Sequence, residues 1–93
     1  MTTIWKYKIL PLDGPQRYDI PRGAHVISAA LDPQGDICFW ALVDTDAPLE
    51  ERTMWCVGTG WPLEEIGMYE GEFIGTVVKE PYVWHLFTTD NEN

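Results

Sequence analysis

Positive charge is what this chain has least of. Six lysines and arginines stand against fifteen aspartates and glutamates, a formal charge of −9. A protein that tracks a nucleic-acid backbone or an anionic bilayer needs a basic face, so this balance argues against both as direct partners. No apolar run approaches the roughly 18 residues of a membrane helix, and no leader pattern opens the chain. The expectation is an intracellular protein. Only two cysteines are present, Cys38 and Cys56. Both sit in apolar stretches and read as buried free thiols in a reducing compartment. Only two histidines are present, His25 and His85. They lack ligand spacing, and no C-x-x-C or H-x-x-x-H pattern exists, so no metal or cofactor is expected. Gly58-Thr59-Gly60 resembles a fragment of a phosphate-binding loop, but a P-loop and a dinucleotide loop each need further residues at fixed spacing, and neither full motif is present. No motif identifies a reaction, and the chain reads as a non-enzyme.

What the chain does have is apolar and aromatic. Five Trp, four Tyr and three Phe are present, and each buries about 150–250 Å² when packed. The 93 residues make one domain, long enough to bury roughly 60–65% of its unfolded surface. Residues 1–88 read as that domain and 89–93 as a polar C-terminal tail that frays.

The patterning is of strands. Ile4–Leu10 alternates, with Ile4, Lys6 and Lys8 on one face and Trp5, Tyr7 and Ile9 on the other. Gln16–Ile20 adds a short strand after the turn cluster Pro11–Pro15. Ala24–Leu31 follows, its small residues implying close backbone approach. Asp32–Asp36 is a hairpin loop in which Pro33 presets φ and Gly35 supplies φ > 0. Ile37–Val43 has no polar residue and is expected to be buried on both faces. Asp44–Glu51 is an acidic loop, and Arg52–Gly58 returns antiparallel. Together they read as a central hairpin placing Cys38 opposite Cys56, Phe39 opposite Trp55 and Trp40 opposite Met54. Residues 62–66 supply at most one short helical turn, with Pro62 at its start and Gly67 at its stop. Glu72–Val78 and Tyr82–Phe87 close the chain, with Val78 opposite Tyr82 and Gly75 opposite His85. The fold class is mostly β: a small antiparallel barrel or sandwich of five or six strands.

Two stretches are candidate sites. In the acidic loop, Asp44, Asp46, Glu50 and Glu51 flank the apolar Leu49. The loop reads as a recognition surface for a basic protein partner, extended by the acids of residues 64–72. The alternative is a small nucleotide ligand. Trp61 or Trp84 would stack its base, Thr59 in the Gly-Thr-Gly turn and His85 would line the site, and Arg17 and Arg22 would meet phosphate. Trp61, between a glycine and a proline, is expected to be the least buried tryptophan. Pairing with a second copy is open to either reading, since strand edges and exposed aromatics favour it.

The order of local patterns resembles a family of small, uncharacterised proteins of tailed phages and prophages. The resemblance rests on Ile4-Trp5-Lys6-Tyr7, Pro21-x-Gly23-Ala24, Trp40-Ala41-Leu42-Val43-Asp44 and Glu50-x-Arg52. It continues through Gly58-Thr59-Gly60-x-Pro62, Phe73-Ile74-Gly75-Thr76-Val77 and Val83-Trp84-His85-Leu86-Phe87, and so covers most of the chain. It implies a phage-type accessory protein in the cytoplasm of a bacterial host cell. By analogy this is a counter-defence inhibitor of a host protein, or else a sponge for a nucleotide-type defence signal. It supplies no catalytic or binding residues.

Overall fold

The apolar runs fold into seven strands: β1 (Thr2–Lys8), β2 (Gln16–Pro21), β3 (His25–Leu31), β4 (Ile37–Asp44), β5 (Leu49–Gly58), β6 (Glu72–Lys79) and β7 (Tyr82–Thr88). A computed structural model describes residues 1–68 and 71–91. The strands form two antiparallel sheets, ordered β1-β4-β3 and β2-β5-β7-β6, which face each other as a sandwich and do not close into a barrel. The five or six strands read from the sequence become seven. Residues 63–67 are hydrogen-bonded turns, and no helix occurs among the described residues. None is therefore long and apolar enough to cross a membrane.

The largest departure from expectation is at the centre. β4 and β5 do not pair. β4 lies between β1 and β3, and β5 lies between β2 and β7. Residues 45–48 carry the chain from one sheet to the other, so Cys38 and Cys56, Phe39 and Trp55, and Trp40 and Met54 are not cross-strand partners. Both cysteines are buried and free. Each strand is central in its own sheet, which is what its apolar composition required. Burial on both faces holds only in part, because Leu42 on the outer face of β4 is 42% exposed.

The interior is built on Phe39, which is wholly buried. Tyr7 of β1 stacks on it at 5.1 Å, and Tyr18 of the opposite sheet meets it edge-on at 5.3 Å. The Tyr18 hydroxyl donates to the Lys8 carbonyl at 2.8 Å, and burial pushes its pKa up to about 12. Ile20, Met54, Cys56 and Leu86 complete the core from the larger sheet. The Lys6–Lys8 face of β1 is solvated as its alternation predicted. At the other side of the sandwich β3 and β6 approach closely: a Cβ on Gly75 would sit 3.4 Å from the Ala29 Cβ.

The β6–β7 hairpin exists but is shifted by one residue from the expected register. Val78 faces Val83, Gly75 faces Leu86, and Thr76 faces His85, with an irregularity between Phe73 and Gly75. Gly75 therefore makes room for Ala29 and not for the His85 ring. On the outer face of the larger sheet a second, smaller core forms, where Trp55, Val57 and Ile66 pack with Trp61, Met68 and Phe87. The segment after Gly58 covers what would otherwise be an exposed apolar sheet face.

Two loops are pinned by side chains. Thr88 is fully buried, and the Asn91 amide clasps β3, accepting from Val26 N at 2.7 Å and donating to Val26 O at 3.1 Å. The tail expected to fray is thus bonded as far as Asn91; residues 92 and 93 lie outside the described residues. In the β3–β4 loop, where Gly35 takes φ 84° as expected, the Asp32 carboxylate accepts from Gln34 N, Asp36 N and the Lys6 ammonium at 2.9–3.0 Å. The Lys6 bond, then the backbone bond from Asp36, holds Asp32 down to about 2, against an ordinary value of about 4. A depressed carboxylate stabilises the fold above its unfolded pKa and loses that contribution as pH falls through the folded one. Melting temperatures of the parent and Asp32→Asn are therefore expected to differ at neutral pH and to converge between about pH 4 and pH 2. Parallel curves over that window would contradict the assignment.

Candidate functional site

The acidic loop is placed where the chain changes sheets, and its charges are answered locally. Asp44 accepts from Asp46 N at 3.0 Å and lies 3.5 Å from the Met1 ammonium, and both contacts, the backbone one first, lower its pKa. Asp46 binds the same ammonium at 2.8 Å. Glu50 binds Arg22 at 2.9 Å, and Glu51 lies 3.5 Å from Arg17. Leu49 is 64% exposed but stands between paired charges. The four carboxylates lie beside three cations of the chain, Asp44 and Asp46 sharing the Met1 ammonium, and Glu50 and Glu51, successive residues of β5, project to opposite faces of the sheet. Such exposed pairs are worth about 0–1 kcal/mol each, yet they leave little uncompensated charge for a partner. Of the acids of residues 64–72, Glu64 and Glu65 belong to the turn over the outer sheet face and Glu72 opens β6. Glu70 lies outside the described residues.

The alternative set divides. Arg22 is fixed by its N–H to Pro48 O at 2.8 Å, beside the start of β5. That strand is 10 residues long, about 30 Å at roughly 3.3 Å per residue, and Gly58 is at its far end. Arg17 is the second residue of the edge strand β2, opposite Thr53 midway along β5. Neither arginine joins the other four. Thr59, Trp61, Trp84 and His85 do come together. The Thr59 hydroxyl is 2.8 Å from His85 Nε2, and the Thr76 hydroxyl is 3.0 Å from Nδ1. A neutral imidazole has one donor and one acceptor, and the two hydroxyls occupy both. His85 thereby ties the Gly58–Trp61 turn to β7. Taking a proton from a substrate would require breaking one of these bonds.

Trp61 is half-buried, not the most exposed tryptophan; Trp5, at 39% exposure, is. The reason is Gly58. A Cβ there would lie 2.7 Å from Trp61 Nε1, so the indole occupies the space that the glycine leaves. Trp61 then meets Trp84 edge to face at 5.5 Å, and Tyr82 tilts against Trp84 at 6.0 Å.

This aromatic end carries two adjoining hollows. One, of about 480 Å³, is lined by Ile9, Ile37, Pro81, Tyr82 and Trp84, with Lys8, Asp36, Lys79 and Glu80 among its polar groups. The other, of about 450 Å³, lies between Pro11–Asp13 and Trp61–Ile66, with Glu65 among its lining. Pro11 lines both. Volumes of this size and largely apolar linings are those of binding sites. Tyr82, Lys79, Pro11 and Leu12 were not anticipated as site residues. A signal was present in Leu12, an apolar residue of the Pro11–Pro15 turn cluster with no strand face on which to hide; it is 49% exposed.

Burial pushes the Cys56 thiol up to about 12, away from the thiolate a nucleophile needs. No group of three or more His, Cys, Asp or Glu placed to hold a metal ion occurs among the described residues. A family model described as "Domain of unknown function (DUF7352)" matches residues 1–93. No curated protein and no solved structure matches the chain.

Proposed function

This chain belongs to the DUF7352 family, from which no activity carries over, and we propose that it is a non-enzymatic binding protein that docks on a basic partner protein through its Trp61–Trp84 end. One contrast carries the reading. The carboxylates of the loop at 44–51 have cations of the chain beside them. The aromatic end instead offers two apolar hollows edged by Asp13, Glu65 and Glu80, which form no ion pair among the described residues, and by Asp36, which Lys8 meets at 3.6 Å. Rigid aromatic side chains in partly desolvated pockets are where interface energy concentrates, and surplus acid favours a basic partner and speeds encounter. The resemblance to small tailed-phage proteins supplies the context: a counter-defence factor in the bacterial cytoplasm that blocks a host protein.

Capture from host extract tests the location. The Tyr82→Ala/Leu12→Ser double variant changes two exposed side chains and is expected to weaken capture about tenfold or more. Glu50→Lys/Glu51→Lys is expected to stay within about twofold, as for exposed charges. The reverse pattern would return the site to the acidic loop.

A second reading is favoured by one observation. Lys79 edges the larger hollow beside Tyr82 and Trp84 and forms no ion pair among the described residues, so a planar anion of nucleotide type has both a ring stack and a cation to meet. Sequestration of such a signal predicts a higher melting temperature with cyclic nucleotides or ADP-ribose derivatives. No shift with any of them removes this reading.

A further inference from the structure

We infer that the occupant of the paired hollows is an extended, proline-containing peptide segment that carries arginine or lysine and binds in the polyproline II conformation. This rests on the docking reading above and narrows it to a ligand class. Shape is the first argument. Two apolar hollows lie side by side with Pro11 shared between them; Trp84 lines one, Trp61 lines the other, and the two rings touch. A polyproline II chain has three residues per turn at about 3.1 Å rise, so it offers an apolar ring to the same side about every 9 Å. Neighbouring slots separated by an aromatic ridge suit that spacing.

The lining is the second argument. Trp61, Trp84 and Tyr82 stand among Pro11, Pro62 and Pro81. These side chains have few rotamers to lose, and a ligand already held in polyproline II has little backbone freedom to lose, so the ordering cost on both sides is small. The hollows lie at strand ends and loops: the end of β1, the start of β4, and the β6–β7 turn. They present no open run of strand backbone, so added-strand pairing is not what this surface offers.

Charge is the third argument, and it decides between ligands. Four acids line the two hollows, Asp36 and Glu80 in one and Asp13 and Glu65 in the other, against two lysines, Lys8 and Lys79, both in the first. Lys8 is already 3.6 Å from Asp36, and the whole chain carries −9. A basic segment is drawn to this end and an acidic one is repelled.

The test is fluorescence anisotropy with a labelled dodecapeptide holding two Pro-x-x-Pro turns flanked by arginines. It is compared with an alanine-for-proline peptide and a glutamate-for-arginine peptide, each at low and high salt. The first is expected to bind most tightly. Its binding should weaken about tenfold on loss of its prolines or in Tyr82→Ala, and weaken at high salt. Tyr82 is 64% exposed, so that variant is expected to melt with the parent. Equal binding of the proline and alanine peptides, or full binding by Tyr82→Ala, overturns the inference. So does failure of all three peptides. If in that case Tyr82→Ala/Leu12→Ser still loses partner capture, the peptide class falls and the docking surface stands. If capture too is indifferent, both fall.

Discussion

Truncating Phe39 to alanine is expected to cost about 3–5 kcal/mol, against a total stability of about 5–14 kcal/mol for a chain this long. Phe39 is wholly buried, and the rings on it come from both sheets: Tyr7 beside it on β1 and Tyr18 across the core on β2. Its removal leaves a cavity where three aromatic rings lock the layers together. Those contacts also add about 0.5–1.5 kcal/mol per aromatic pair beyond the area buried. Phe39→Leu keeps most of the volume and is expected to lose much less, on the order of 1.5 kcal/mol. Urea midpoints at equal slope measure both. A loss below about 1 kcal/mol for Phe39→Ala would mean that the sheets are joined elsewhere.

The second large effect is local and reaches the site. Gly58→Val is expected to displace Trp61, because even a Cβ lies 2.7 Å from Nε1 and 2.8 Å from Cε2 of that ring. Overpacking of this kind costs about 1–3 kcal/mol. The backbone at Gly58 does not take a positive φ, so the ring is the obstacle and not the main chain. That makes the claim separable. In a Trp61→Ala background, Gly58→Ala is expected to cost almost nothing, a coupling that a double-mutant cycle reads directly. The single variant should also lose capture at the aromatic end while β1–β7 remain folded. Additive costs in the cycle would show that the glycine serves something other than the indole.

The strands were legible because each carried its own signal: alternation in β1, small residues in β3, an unbroken apolar run in β4. The hairpins at Asp32–Asp36 and Lys79–Tyr82 were legible because their turn residues are local. The partnership of β4 and β5 was not. Two apolar strands joined by a polar loop look alike whether the loop turns back within a sheet or crosses to the facing one, and both arrangements bury them. The register of β6 slipped because the irregularity between Phe73 and Gly75 shifts which face each residue meets, and no residue type announces it. At the site, Thr59, Trp61, Trp84 and His85 were legible as a group by their closeness in sequence to a glycine turn and to one strand. Arg17 and Arg22 were misplaced with them because sequence shows a cation but not the glutamate it faces across β2 and β5. Leu12 was missed because turn residues were read as connectors, and Tyr82 because it was read only as the first residue of a strand.

The order β2-β5-β7-β6 has a consequence for synthesis. β7 is the last strand made, yet it sits inside its sheet, between two strands made before it, and brings the wholly buried Leu86. A chain that stops short of Tyr82 leaves β5 and β6 each with an unpaired edge, the kind of exposed backbone that recruits other chains. Truncated products are therefore expected to aggregate or be degraded, not to persist as partly folded domains. On the ribosome the larger sheet cannot close until its final strand has emerged.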